Sequence, residues 1–167
     1  MDFAELVRHR YSVRAYRSDP VEEEKLALVL EAARLAPTAA NHQAFRLHVI
    51  GVRGREAELA RIYERAWFTQ PPLVIGITGL PARNWVRRDG RNYVDVDCAI
   101  VMDHLILQAT DLGLGTCWIA AFDAAAAREV LRLPEGEEPV AFTPLGYPAD
   151  AARPKTRRAL AELVTRG

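Results

Sequence analysis

Four arginines crowd a short segment near the start of the chain, between two stretches of helical pattern. They alternate with hydroxyl-bearing residues, and the whole set is Arg8, Arg10, Tyr11, Ser12, Arg14, Tyr16 and Arg17. Cations this close repel one another unless an anion neutralises them, and guanidinium donors match the oxygens of a phosphate. Two interpretations are open: a phosphate site to which Ser12 adds a hydroxyl, or a solvated basic turn whose arginine stems lie on the aromatic rings. Composition alone favours the second.

A second basic cluster lies in the last twenty residues, which are otherwise polar. Its members are Arg153, Lys155, Arg157 and Arg158. Apolar residues in this tail are weakly spaced, at Leu160, Leu163 and Val164, so the tail cannot form a core by itself. Considered alone, this cluster is typical of a charged chain end.

Residues 38–43, with the sequence Thr-Ala-Ala-Asn-His-Gln, form a loop rich in small and amide side chains. Amides donate and accept hydrogen bonds together, which suits the edge of a heteroaromatic ring or a polyol, although such side chains also cap loops. His42 has no other histidine at a spacing that metal ligation requires, so we expect no metal site.

Other catalytic signatures are weak. Gly113 and Gly115 follow a helical pattern and precede a strand pattern, whereas a dinucleotide fingerprint must follow a strand and open a helix. The chain has no nucleophile elbow, so nothing favours a hydrolase. We expect Asp97 and Asp103 to be satisfied by helix N-terminal amides or neighbouring polar groups rather than to act as catalysts.

Composition limits the class of protein. The 167 residues are 50% hydrophobic and carry 22 basic and 22 acidic side chains. This length supports a core without disulfides, and the balanced charge favours neither nucleic acid nor a membrane as partner. Cys98 and Cys117 lie far apart on apolar segments, which indicates two buried, reduced thiols. The amphipathic start has no apolar signal core, so we expect a cytoplasmic location.

Alternating helix and strand patterns predict one domain over residues 1–167. Cap signals at Asp2, Asp19-Pro20 and Asp123 begin three helices. Periodicity predicts further helices over 55–67 and 94–112, the second nearly apolar all round and therefore central, and strands over 45–50, 73–78, 116–121 and 140–145. Residues 80–93 have no period and suggest an exposed loop of the kind that covers a site.

Four segments, taken in order, resemble the nitroreductase family of flavoproteins over essentially the whole chain. They are Arg10-Tyr11-Ser12-Val13-Arg14, Ala36-Pro37-Thr38-Ala39-Ala40-Asn41-His42-Gln43, the run from Asp97 to Gly115 with Thr116-Cys117-Trp118-Ile119, and Leu145-Gly146-Tyr147-Pro148. Thr38 stands where the family more often has serine, and Phe45 where tryptophan is common. The first departure keeps the hydroxyl.

The resemblance implies an α+β fold with a mixed, mainly antiparallel central sheet flanked by helices. It also implies a homodimer with one FMN at each of two interfacial sites, and a tail, 149–167, that packs on the partner subunit. By similarity, the residues that hold the phosphate and ring-edge oxygens of FMN are Arg10, Tyr11, Ser12, Arg14, Lys155 and Arg157. The loop that the resemblance places in the partner subunit's contribution to the site contains Thr38, Asn41 and Gln43. Ile119 and Ala120 would face the ring near N5.

The implied activity is hydride transfer from NADH or NADPH to FMN and onward to a nitroaromatic, quinone or related acceptor, in ping-pong order. No side-chain acid or base is required, and Arg14 is the candidate that stabilises negative charge on the reduced ring. Alternatives are a specialised flavin enzyme, such as an azoline oxidase, dehalogenase or ene-reductase, and a non-catalytic FMN-binding redox sensor. Trp85 is either a lid residue or a surface-packed aromatic.

Overall fold

The computed structural model describes all 167 residues and has five helices and four strands. The helices are α1 (Phe3–His9), α2 (Glu23–Arg34), α3 (Glu56–Ala60), α4 (Val94–Asp111) and α5 (Ala124–Leu131). The strands are β1 (Phe45–Gly51), β2 (Leu73–Gly79), β3 (Gly115–Thr116) and β4 (Glu138–Gly146). Short 3-10 turns occupy Ala39–Asn41, Ala66–Thr69, Pro81–Arg83 and Leu160–Glu162.

The strands form one sheet in the order β1-β2-β4-β3, and every ladder is antiparallel. A parallel element comes only from an isolated bridge between Ser12 and Thr116. The predicted α+β class with a mainly antiparallel sheet is therefore confirmed.

Each face of the sheet carries its own hydrophobic cluster. On β2, Ile75 and Ile77 pack in the cluster that contains α2 and α4, whereas Val74 packs in the cluster that contains α3 and α5. Alternate residues of a strand point to opposite faces, so both faces of β2 are buried. None of the helices combines the length and the apolar composition needed to span a bilayer.

Several predicted helix boundaries are confirmed. Asp2 and Glu5 form a reciprocal capping box, and the Asp123 side chain accepts the Ala126 amide at 2.9 Å. Gly113 follows α4 with a φ of +75°, a conformation that glycine adopts without strain. Asp19 does not cap α2, because that helix begins after Glu22 and Asp19 instead lies 3.4 Å from Arg17.

The helix predicted over 55–67 is wrong in its second half. Helix α3 ends at Ala60, and the Ile62 carbonyl accepts the amide of Asp123 at 2.9 Å. Tyr63 then packs edge-on against Trp67 and Phe68, with ring centroids 5.5 and 5.6 Å apart. The helix therefore stops early because the Ile62 carbonyl and the Tyr63 ring make tertiary contacts instead of helical ones.

The strand predicted over 116–121 is also shorter than expected. After β3, the Cys117 amide donates to the side-chain hydroxyl of Thr143 at 3.0 Å instead of to the β4 backbone. Ile119 then returns to the sheet through an isolated bridge to Phe142. The interruption leaves Trp118 exposed between the buried Cys117 and Ile119, and Ala120 is exposed after Ile119.

Residues 80–93 are a loop, as predicted, and they close on themselves. A bridge joins Val86 to Asn92, and the ring of Trp85 packs edge-on against Tyr93 with centroids 5.1 Å apart. Within the chain, Trp85 is thus a packed aromatic, and its role as a lid stays a prediction.

A fully buried carboxylate joins the ends of β1, β2 and β4. Glu137 accepts the Thr78 hydroxyl at 2.5 Å and the Arg46 guanidinium at 2.6 Å, and its Oε1 lies 3.2 Å from His48 Nε2. A buried charge costs free energy unless it is paired and hydrogen-bonded, and here both oxygens are satisfied.

We expect Glu137→Ala to lower the free energy of unfolding by about 3 kcal/mol, because it deletes the acceptor shared by the buried Thr78 hydroxyl and Arg46 and leaves Thr78 and His48 only their mutual contact. Glu138→Ala is the matched control. Its carboxylate is exposed and pairs with Arg128, so it should cost at most about 1 kcal/mol. Urea denaturation measures both, and equal losses would contradict the role assigned to the buried network.

Candidate functional site

The two basic clusters of the sequence meet in one cavity of about 460 Å³. Its walls come from the segment after α1 and from the tail, and the lining residues are Arg10, Tyr11, Ser12, Arg14, Asp150, Ala151, Arg153, Pro154, Lys155, Thr156 and Arg157. Five of these side chains are cationic and one is anionic. The cavity therefore combines positive charge with hydroxyl donors, the chemistry that a phosphate monoester requires.

Val13 anchors the first wall of the cavity to the sheet. It is 1% exposed, and its amide donates to the Thr116 carbonyl at 2.9 Å. Because neighbours in an extended segment point in opposite directions, burial of Val13 turns Ser12 and Arg14 toward the cavity. Gly115 permits this approach, since a Cβ atom there would lie 2.8 Å from Val13 Cγ2.

Asp150 attaches the tail to the first wall. Its Oδ2 accepts the Arg14 amide at 2.8 Å, and its carbonyl accepts the Tyr11 hydroxyl at 2.9 Å. Burial, followed by the nearby charge of Asp150, raises the pKa of the Tyr11 hydroxyl above its ordinary value. Sequence reasoning missed Asp150, and the only signal was a single acid directly before a basic tail.

Lys155 crosses from the tail to the end of α1, where its ammonium donates to the Val7 carbonyl at 3.0 Å and also to the Arg8 carbonyl. Lys155 is an exposed residue, and a small loss of solvation, then repulsion by Arg10 and Arg157, lowers its pKa below the ordinary lysine value. The cavity is thus short of negative charge, and a bound phosphate would relieve the repulsion.

Not every predicted basic residue joins the cavity. Arg8 does not line it, Arg17 pairs with Asp19, and Arg158 lies 3.3 Å from Glu162. Of the four arginines in the first cluster, only Arg10 and Arg14 lie on the cavity wall, on either side of Tyr11, Ser12 and the anchored Val13.

The amide loop lies outside this cavity. Thr38, Asn41 and Gln43 do not line it, although all three were predicted to bind the same cofactor. Gln43 Nε2 donates to Asn41 Oδ1 at 3.2 Å, and the Gln43 amide donates to Thr38 Oγ1 at 3.1 Å. Within one chain, the loop is a separate, exposed set of amide groups.

The third predicted set follows β3. Ile119 is 3% exposed and bridges Phe142, which points the next backbone amide away from the sheet. That amide, of Ala120, donates no hydrogen bond within the chain. It is a free donor at the surface, as a contact to a ligand requires. In the adjacent segment, burial raises the pKa of the Cys117 thiol, so it is not a reactive thiolate.

A family model described as the nitroreductase family matches residues 7–74 and 64–147. Among relatives, an FMN reductase [NAD(P)H] of Bacillus subtilis is 30% identical and covers 91% of this chain and 68% of its own length. An NADH dehydrogenase of Thermus thermophilus is 28% identical, over 93% of this chain and 91% of its own.

Solved structures agree. A nitroreductase family protein of Clostridium difficile 630 superposes with a TM-score of 0.88 at 39% identity, over 99% of this chain and 98% of that one. An FMN-dependent nitroreductase of Clostridium difficile R20291 superposes with a TM-score of 0.81 at 25% identity, over 92% of each chain. Motifs, fold and family model concur, and the chain belongs to the nitroreductase family.

Proposed function

We propose that this protein is an FMN-dependent oxidoreductase that takes hydride from NADH or NADPH. The observation that carries the proposal is the cavity in which Arg10, Ser12, Arg14, Lys155 and Arg157 converge. Relatives named as an FMN reductase [NAD(P)H] and an FMN-dependent nitroreductase support the same cofactor and electron donor.

The cavity suits the phosphate end of FMN. Arg10, Lys155 and Arg157 carry no carboxylate partner, so their charge is available to a dianion. Ser12 adds a hydroxyl donor, and Tyr11, bound to Asp150, holds the tail beside it.

The ring end of FMN requires further groups, and all of them except Arg14 lie outside this cavity. When bound, FMN supplies hydride chemistry at N5, accepting from NAD(P)H and donating to a second substrate. Asn41 and Gln43 offer amides to the ring edge and ribityl chain, with Thr38 bracing their loop. The free amide of Ala120, fixed by the bridge at Ile119, suits a hydrogen bond near N5. Arg14, on the cavity wall, would place a positive charge where it stabilises the reduced ring.

A homodimer would bring these separate sets together. Helix α4 has a strip of partly exposed apolar residues, formed by Val96, Ala99, Ile100 and Leu107. The tail is extended and leaves Leu160 75% and Leu163 58% exposed. Apolar surface of this kind is stabilised by packing on a second copy, which supports the proposal that 149–167 dock on the partner.

We propose a ping-pong order with a nitroaromatic, quinone or related acceptor, because donor and acceptor would use one slot above the ring in turn. Parallel double-reciprocal plots are expected, and intersecting plots would show a ternary complex instead. A cytoplasmic location stays a prediction.

We expect the purified protein to bind one FMN per subunit and the flavin absorbance to bleach promptly when NADH or NADPH is added without oxygen. The measurement is a spectrum from about 300 to 550 nm, the range of flavin bands. Persistent bands would contradict the reductase and favour a specialised flavin enzyme or a redox sensor. A colourless protein that takes up no FMN would contradict the whole proposal.

Arg10→Ala should raise the dissociation constant for FMN by about tenfold to a hundredfold, since it removes a charged donor from the phosphate. Riboflavin lacks the phosphate, so its weaker binding should change little. Arg65→Ala, at an exposed arginine outside the cavity, is the control. Flavin fluorescence titration measures all of these constants. An equal loss for FMN and riboflavin would refute the phosphate assignment.

Replacing the three exposed apolar residues of the tail, Leu160, Leu163 and Val164, with serine should convert dimer to monomer and release flavin together. Arg166→Ser is the control, because it alters the charge of the tail but not its apolar surface. Sedimentation with detection at a flavin wavelength reports mass and cofactor at once. A flavin-loaded monomer would rule out the shared site.

A further inference from the structure

Asp97 is a buried acid that the proposed function does not use. It lies in the first turn of α4 and is 3% exposed. Its Oδ1 accepts the amide of Ala39 at 2.9 Å, and its Oδ2 has no partner in the chain. The N-terminal end of a helix stabilises negative charge, and hydrogen bonds to a charged acceptor are strong. Asp97 thus ties the loop at 38–43 to a helix at the centre of the core.

The loop that Asp97 holds is strained. Ala40, Asn41 and Gln43 have φ values of +50°, +57° and +51°, in the left-handed region that side-chain-bearing residues rarely adopt. Bonds from Gln43 to Thr38 and Asn41 fix the shape of this turn but not its place on the protein. Strain of this kind persists only where the surrounding structure holds it.

Two side-chain contacts attach the turn to the rest of the chain. His42 Nδ1 lies 3.0 Å from the Arg83 carbonyl, but this contact is exposed to water. The contact of Ala39 with Asp97 is partly buried, because the Asp97 side chain lies in the core, and a hydrogen bond shielded from water is electrostatically stronger. Each of the two segments that the turn contacts contains a buried polar side chain with an unpartnered atom. These side chains are Asp97 itself and Asn84, which follows Arg83. Such atoms are rare in native proteins, and here they coincide with the strained loop.

We propose that Asp97 is a positioning residue for cofactor binding. It accepts the Ala39 amide and so keeps the turn in the conformation that presents Asn41 and Gln43 to FMN. The inference rests on the proposed function, because it takes these two amides as FMN ligands. What the loop needs from position 97 is a hydrogen-bond acceptor of this length. An amide side chain therefore substitutes for the carboxylate, and a methyl group does not.

The experiment compares Asp97→Ala with Asp97→Asn and with Cys98→Ala. Cys98 is equally buried on the same helix, but its thiol lies near the Thr78 carbonyl and does not touch the loop. The two readouts are the dissociation constant for FMN and the hydrogen-exchange rates of amides 39–43 in cofactor-free protein. Asp97→Ala should raise both about tenfold. Asp97→Asn should restore both to within about threefold, and Cys98→Ala should lower only the melting temperature.

A second variant removes the same hydrogen bond from the loop side, without touching the core. Ala39→Pro deletes the donor, and the extended backbone of Thr38, with ψ of 157°, accommodates a following proline. It should weaken FMN binding to the same extent as Asp97→Ala.

Unchanged FMN affinity and unchanged exchange in Asp97→Ala would overturn the inference. So would a loss of affinity in Cys98→Ala as large as that in Asp97→Ala, because general destabilisation would then explain both. If the unmodified protein binds no FMN, the proposed function fails. The exchange rates of residues 39–43 still decide separately whether Asp97 holds the loop.

Discussion

The cavity depends on the pairing of one short extended segment with one strand. The Val13 amide binds the Thr116 carbonyl, and Gly115 leaves room for the Val13 side chain against the sheet. This contact places Ser12 and Arg14 on the cavity wall and brings the tail to them through Asp150. The resulting concentration of positive charge is unfavourable by itself, so an anion bound in the cavity would lower the electrostatic free energy of the folded protein.

Helix α4 connects the core to the second set of proposed site residues. Its apolar residues fill one face of the sheet, while Asp97 in its first turn holds the loop with Thr38, Asn41 and Gln43. A loop that carries function must be exposed, but it must also be held in one conformation. The buried acid meets both requirements, because it binds the Ala39 amide on the core side of the loop and leaves the side-chain amides of Asn41 and Gln43 at the surface.

A single chain separates the groups that one flavin would contact. The basic cavity, the amide loop and the free amide of Ala120 belong to three different parts of the surface. Partly exposed apolar residues on α4 and exposed apolar residues in the tail give a physical reason for association. These observations support our proposal that a pair of subunits forms the active site, an arrangement that would link dimer stability to cofactor binding.

Local pattern determined much of the fold, because period and capping are local. Strands β1 and β2, helix α4 and the caps at Asp2 and Asp123 could be predicted within about two residues. The motifs and basic clusters also identified the cationic residues of the cavity and the amide loop, but not Asp150. Tertiary structure alone decided where α3 ends, why residues 117–118 leave the sheet, and that Asp97 faces Ala39 rather than its own helix. Each of these depends on a hydrogen bond between residues far apart in the chain, and sequence periodicity carries no information about such partners.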